Sequence, residues 1–291
     1  MRIRRRNLAI FTTVTLSSGW LGVILNRAMG VPHDLDSPGA GLWLALPLAT
    51  TIALRFAGTG WRRSGFSPRL PAAARWYVAG ALAFPVVTAG AIALGRLSGW
   101  TDTGALDVPR LAAAFAPALA INLIKNVFEE SVWRGYLTEE LIEDGRSDLG
   151  LYLAVGAVWA LWHLPYYLFF LDEQTMRTVI DLPRLPGALV LSVTMLGWSV
   201  LFTELYRLSG SIWPCVLMHA VEDALVNPLV LDGHLAFTPA GSVLVSPING
   251  VLTTVGYVGL GLALRALRRR GWGHGRTRAG RGTRQPARPL R

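Results

Sequence analysis

Six stretches of this chain contain no charged residue: Arg6 to Arg27, Asp36 to Arg55, Arg75 to Arg96, Asp148 to Asp172, Arg184 to Glu204 and Asp232 to Arg265. Each is long enough to cross the hydrocarbon core of a bilayer as an α-helix, which takes roughly 17 to 25 apolar residues. Only 16% of the 291 residues are charged and 52% are hydrophobic, against about 25% charged in an average soluble domain. A mean hydropathy of +0.40 agrees. So few charges cannot cover the surface of a water-soluble fold, and the chain reads as a multi-pass protein of the cell membrane.

Two further stretches, Leu111 through Leu137 and Ser211 through Leu231, have spanning length but are interrupted by acids and bases. Counting them gives an all-α polytopic bundle of about eight transmembrane helices, near 8–26, 40–57, 76–95, 111–142, 149–171, 186–206, 211–231 and 247–266, with boundaries good to about 2 to 4 residues. An even number of crossings returns both arginine-rich ends to one side. On this scheme the loop with Arg62, Arg63, Arg69 and Arg75 joins them there, as do Arg146 and Arg207, while the loop from Asp232 to Pro247 has no Lys or Arg and lies opposite. Basic loops stay inside, so both termini are expected in the cytoplasm. The first stretch follows a basic start, as a signal peptide would, but its length reads as an uncleaved anchor.

The formal charge of +10 is concentrated at the ends, with Arg2, Arg4, Arg5 and Arg6 before the first span and Arg265, Arg268, Arg269 and Arg270 closing the last. Beside apolar spans such clusters point to anionic lipid, not nucleic acid. The stretch 271–291, rich in Gly, Arg and Pro, has little to bury and is expected to be a disordered basic tail. The single cysteine, Cys215, excludes an intrachain disulfide and reads as a small buried apolar residue.

Ionisable residues inside a membrane helix are costly, about 2.5 to 3.5 kcal/mol at its centre, and usually face a partner or water within the bundle. Here they recur at helical spacing. Glu130 and Arg134 stand four apart and share a face, whereas Glu129 is rotated about 100° from Glu130 and is free to point elsewhere. Lys125, four residues before Glu129, can pair with it or reach toward the interface. His163 is the one titratable group of its span, in Trp159-Ala-Leu-Trp-His163-Leu-Pro165, and His219 and Asp223 share a face of the seventh helix. At about 1.5 Å per residue from the inner helix ends, Glu130, His163 and His219 fall in one layer. Pro165 and Pro214 are expected to kink their helices and make room for a cavity. Buried ionisables of this kind also serve proton-coupled transporters, which commonly show inverted repeats; no repeat is evident in this sequence.

These motifs, in this order, resemble the CPBP family of intramembrane peptidases, which includes the type II CAAX prenyl endopeptidases and the Abi proteins of bacteriocin immunity. Glu129, Glu130 and Arg134 match its Glu-Glu-x-x-x-Arg motif, with Gly135-Tyr136-Leu137 also similar. Trp159 through His163 matches an aromatic-x-x-x-His motif that usually begins with Phe, and His219 with Asp223 matches His-x-x-x-Asn/Asp. The resemblance divides the chain into three N-terminal transmembrane helices (1–107), a catalytic core (108–231), a last helix (232–270) and the tail. It implies hydrolysis of peptide bonds without a covalent intermediate. Glu129, Glu130 and His163 would hold and deprotonate a water, Arg134 would position Glu130, and His219 with Asp223 would stabilise the oxyanion or bind a metal. Zn²⁺ held by Glu130, His163, His219 and Asp223 is one implied cofactor; a metal-free glutamate mechanism is the other. Asp223 in place of Asn cannot donate a hydrogen bond unless protonated. The implied substrate is a peptide or membrane-protein segment, expected here to be unprenylated because the strong preference for Arg over Lys suggests a bacterial-type genome. A membrane immunity or scaffold protein that keeps the fold without catalysis is the remaining alternative.

Overall fold

The computed structural model describes residues 2–273; most of the tail expected to be disordered lies outside the described residues. Eight helices among the described residues are long and apolar enough to cross a membrane: α1 (Ile3–Met29), α2 (Pro38–Gly58), α3 (Ala74–Leu97), α4 (Val108–Glu143), α5 (Asp148–Phe170), α6 (Arg184–Ser209), α7 (Trp213–Leu231) and α8 (Val251–Arg269). The protein is an all-α, multi-pass membrane bundle. Sequence reading did not foresee two short helices, Glu173–Val179 and Pro239–Leu244, or the two-residue strands Thr101–Asp102 and Ala236–Phe237, which pair antiparallel. All four lie in loops at one end of the bundle.

Helices α6 and α7 form the centre, with 61% and 67% of their most apolar windows buried, whereas the corresponding figure for α4 is 11%. α7 packs against α3 and α4, α6 against α5 and α8, and α1 against α2 and α5. Gly22 and Gly39 bring α1 and α2 together, since a Cβ on either would collide with the other's carbonyl oxygen. Phe11 of α1 lies against Tyr136 of α4, ring centroids 4.9 Å apart, so the first helix is an integral part of the bundle.

Both ends of the described chain meet at one face. Arg4 pairs with Glu140 at 3.1 Å and Arg5 with Asp144 at 3.3 Å. Arg265 and Arg269 reach Asp148 at 2.7 and 3.1 Å, and Arg268 reaches both Asp148 and Glu204. The even number of crossings is thereby expressed in direct contacts. Part of the positive charge assigned to lipid from sequence is answered inside the protein.

Three helices that carry the motifs change winding at the motif or just beyond it. Wider, π-helical turns run over Trp133–Thr138 in α4, Tyr166–Phe170 in α5 and Glu222–Val226 in α7. Such turns are frequent at functional sites. In α5 the turn follows Pro165, and in α7 it precedes Pro228; a proline lacks the N–H that a regular turn needs. The expectation for Pro214 is corrected: it occupies the first turn of α7, where its missing N–H has no intrahelical role, and it kinks nothing.

Candidate active site

Glu130 is fully buried, and Nη1 of Arg134 donates to its Oε1 at 3.0 Å, four residues on, as the spacing predicts. The Arg134 guanidinium lies between two rings, 4.4 Å from the Trp159 centroid and 4.1 Å from that of Phe202. Among the described residues its Nε and Nη2 meet no hydrogen-bond acceptor, so the aromatic faces supply the remaining attraction for the cation. Oε1 of Glu130 also stands 2.9 Å from Nδ1 of His219 on α7. That carboxylate joins α4 to α7.

Glu129 faces the other way. With Lys125, Phe128 and Val132 it forms the α4 wall of a cavity of about 270 Å³, opposite Leu44 and Leu48 of α2, with Trp133 and Trp162 at its back. Apart from Lys125 and Glu129 this lining is almost wholly apolar. Lys125, whose side chain is 46% exposed, sits 3.5 Å from Glu129 Oε1 and 3.0 Å from Asp223 Oδ2. It therefore spans α4 and α7 and does not turn toward the interface. Glu129 is within electrostatic reach of both His163 and His219.

The two imidazoles lie against the same indole, with ring centroids 6.0 Å (His163) and 5.9 Å (His219) from Trp159. Nδ1 of His163 is 2.9 Å from the carbonyl oxygen of Trp159. A carbonyl only accepts, so this nitrogen carries the proton and Nε2 is the free position of the ring. The Glu130 carboxylate imposes the same assignment on His219.

Asp223 does not orient His219, as its place one turn away suggested. Its Oδ2 accepts from Lys125 at 3.0 Å and from Asn126 at 2.7 Å, and its Oδ1 from Asn227 at 3.2 Å. Among the described residues, the acidic and imidazole groups whose ligand atoms gather within 4.8 Å of one another are His219, Glu222 and Asp223, not the quartet of Glu130, His163, His219 and Asp223. In this trio His219 offers Nε2, its Nδ1 being held by Glu130, while both oxygens of Asp223 are engaged, one of them by an ammonium group.

Four residues of the site carried no role in the sequence reading. Asn126 precedes Glu130 by four positions and continues the face of Arg134, a signal that was present. Glu222 is buried with Oε1 unpartnered; its signal was adjacency to Asp223. Phe202 comes from α6, outside any motif. Arg55, at the end of α2, is 2% exposed and donates to the carbonyl oxygen of Gly135 within the wide turn of α4, from Nη2, and to that of Gly60 at 2.7 Å, from Nη1. A Cβ at position 135 would stand 3.0 Å from the Ser64 carbonyl oxygen, so glycine lets the 60–65 loop close beneath that turn.

Residues 111–225, which contain every motif residue from Glu129 to Asp223, match the family described as Type II CAAX prenyl endopeptidase Rce1-like. No curated protein matches the chain.

Proposed function

We propose that this multi-pass chain, whose residues 111–225 match the Type II CAAX prenyl endopeptidase Rce1-like family, is an intramembrane peptidase that cleaves peptide bonds with a water activated by Glu129. The observation that carries this reading is the contrast between two adjacent carboxylates: Glu130 is sealed by Arg134 and His219, and Glu129 opens on the cavity between α2 and α4 beside Lys125. A carboxylate at a partly wet, low-dielectric wall is suited to general-base catalysis.

In the reaction, Glu129 takes a proton from water as the water oxygen attacks the carbonyl carbon of the substrate. The tetrahedral centre then collapses, the C–N bond breaks, and Glu129 returns the proton to the leaving nitrogen. Nε2 of His163 accepts the water's second hydrogen and orients it. His219 is held through Nδ1 by Glu130. Arg134 acts through Glu130, and Asp223 acts through Lys125. Every step is carried by side chains of this chain. The apolar lining from α2 and α4 suits a peptide with a lipid-like or hydrophobic flank, which reaches the cavity sideways from the bilayer. The face that gathers Arg4, Arg5, Arg268 and Arg269 is assigned to the cytoplasm and to anionic headgroups, in keeping with the positive-inside rule.

Mass spectrometry of peptides released from cells expressing the wild type or Glu129→Gln tests the reading. Peptides present with the wild type and missing with the variant are expected; identical profiles would contradict peptidase action.

A further inference from the structure

Helices α1 and α5 touch closely at one level and part at another. Gly19 of α1 lies against Pro165 of α5, where an added Cβ would stand 2.7 Å from the proline Cγ. About two helical turns nearer the arginine-rich face, a groove of about 320 Å³ opens between them. Its walls are Leu8 and Thr12 of α1 with Ala154 and Val158 of α5, and the buried Leu137 and Leu141 of α4 form its floor. Ala9 and Thr13, small and exposed, leave it open to the outside of the bundle. Leu153, beside Ala154, is exposed on the same helix, as expected of a surface that meets acyl chains.

The end of the groove toward the arginine-rich face is positive. Arg146, in the loop between α4 and α5, lines it, and Arg5 stands one turn before Ala9 on α1. Nε of each lies 3.3 Å from a different oxygen of Asp144, whose side chain is 4% exposed, while the two arginine side chains are 63% (Arg5) and 56% (Arg146) exposed. One carboxylate cannot neutralise two guanidiniums, and among the described residues no second acid pairs with either.

We propose that this groove binds one anionic phospholipid, with the phosphate on Arg146 and Arg5 and one acyl chain laid over Leu137 and Leu141. Guanidinium groups match phosphate oxygens in geometry as well as charge, and basic pockets between membrane helices on the cytoplasmic side suit anionic headgroups. Asp144 holds both guanidiniums in place beforehand, which lowers the ordering cost of binding. The site is independent of the peptidase reading, since it shares no lining residue with the cavity at Glu129. A lipid there bridges α1 and α5 across Leu137, three residues after Arg134, and stabilises the folded bundle by mass action.

The full chain in mild detergent, titrated with phosphatidylglycerol or phosphatidylcholine and read by native mass spectrometry, tests the proposal. One phosphatidylglycerol is expected to stay bound under conditions that strip phosphatidylcholine, and to raise the unfolding midpoint. Arg146→Gln should weaken its retention about tenfold. Thr13→Trp fills the groove from its exposed rim and keeps every charge, and should lose the lipid; Arg146→Gln, at an exposed position, keeps the test readable where the tryptophan impairs folding. Arg75→Gln, exposed at the start of α3, which packs on α7 and α8, should bind as the wild type does. Equal retention of the two lipids, wild-type retention in Arg146→Gln or in folded Thr13→Trp, or an equal loss in Arg75→Gln would overturn the site in favour of diffuse attraction to a charged face. Displacement of the lipid by an equal concentration of inorganic phosphate would overturn the acyl-chain seat, and a two-chain mass that Thr13→Trp reduces to one would give the groove to a second copy of this chain instead.

Discussion

The dry side of α4, where Glu130, Arg134 and His219 meet between two aromatic rings, and its cavity side, where Glu129 meets Lys125 and Asp223, are separated by about 100° of helix rotation. On the dry side Oε1 of Glu130 takes two charged or polar hydrogen bonds while Oε2 has none. On the cavity side the contact is longer and more exposed: Lys125 stands 3.5 Å from Glu129 and its side chain is 46% exposed. Charges shut away from water hold helices together, because breaking such a pair leaves an uncompensated ion. Charges at a cavity wall remain available to a substrate. Two adjacent acids, identical in chemistry, thus acquire different tasks from which face of one helix they occupy.

Five substitutions or treatments probe that division, in order of expected effect. Glu129→Gln should lower peptide cleavage by about 10³-fold, within the usual range for loss of a general base, and leave the thermal unfolding midpoint in detergent nearly unchanged because Lys125 keeps Asp223. Arg134→Met should act in the opposite way. It strands Glu130 in a sealed pocket at about 3 to 5 kcal/mol, read as a large fall in unfolding midpoint and in the yield of folded protein. The paired Glu130→Leu/Arg134→Leu change should regain most of that stability and still cleave poorly, since His219 has lost the carboxylate that orients it. Dialysis against a chelator should leave the rate within about twofold, in contrast to a protein whose site is assembled by a metal; loss of activity restored by Zn²⁺ would move the chemistry to His219, Glu222 and Asp223. The smallest effect is expected at the basic face. Asp148→Asn removes the acceptor shared by Arg207, Arg265, Arg268 and Arg269, and should cost about 1 kcal/mol or less, read as a small, salt-sensitive drop in midpoint with cleavage retained.

The same dry and wet sides explain what the sequence reveals and what it hides. Charge-free stretches located six of the eight membrane helices and apolar stretches of spanning length the other two, since crossing the bilayer imposes length and apolarity on each segment separately. Glu130 and Arg134 were readable as a pair because four residues make one helical turn. Lys125 and Asp223 were not, because their bond joins α4 to α7 over 98 positions and depends on how two helices pack. The short helices and strands of the loops carry no membrane-scale signature. The layer shared by Glu130 and His219 followed from counting rises along antiparallel helices, and their contact at 2.9 Å bears it out. The split between the two glutamates required the cavity that α2 and α4 line together. Pro165 and Pro214 show the limit of local rules: one sits before a widened turn and the other merely opens a helix.

The most direct test compares wild type and Glu129→Gln in phosphatidylethanolamine/phosphatidylglycerol vesicles, with a peptide ending in a farnesylated CAAX sequence, in ¹⁸O-labelled water and with mass detection of both fragments. Direct attack by a water that Glu129 activates should place one heavy oxygen in the new carboxylate of the wild-type product, with almost no product from the variant. Cleavage by Glu129→Gln at the wild-type rate would contradict it.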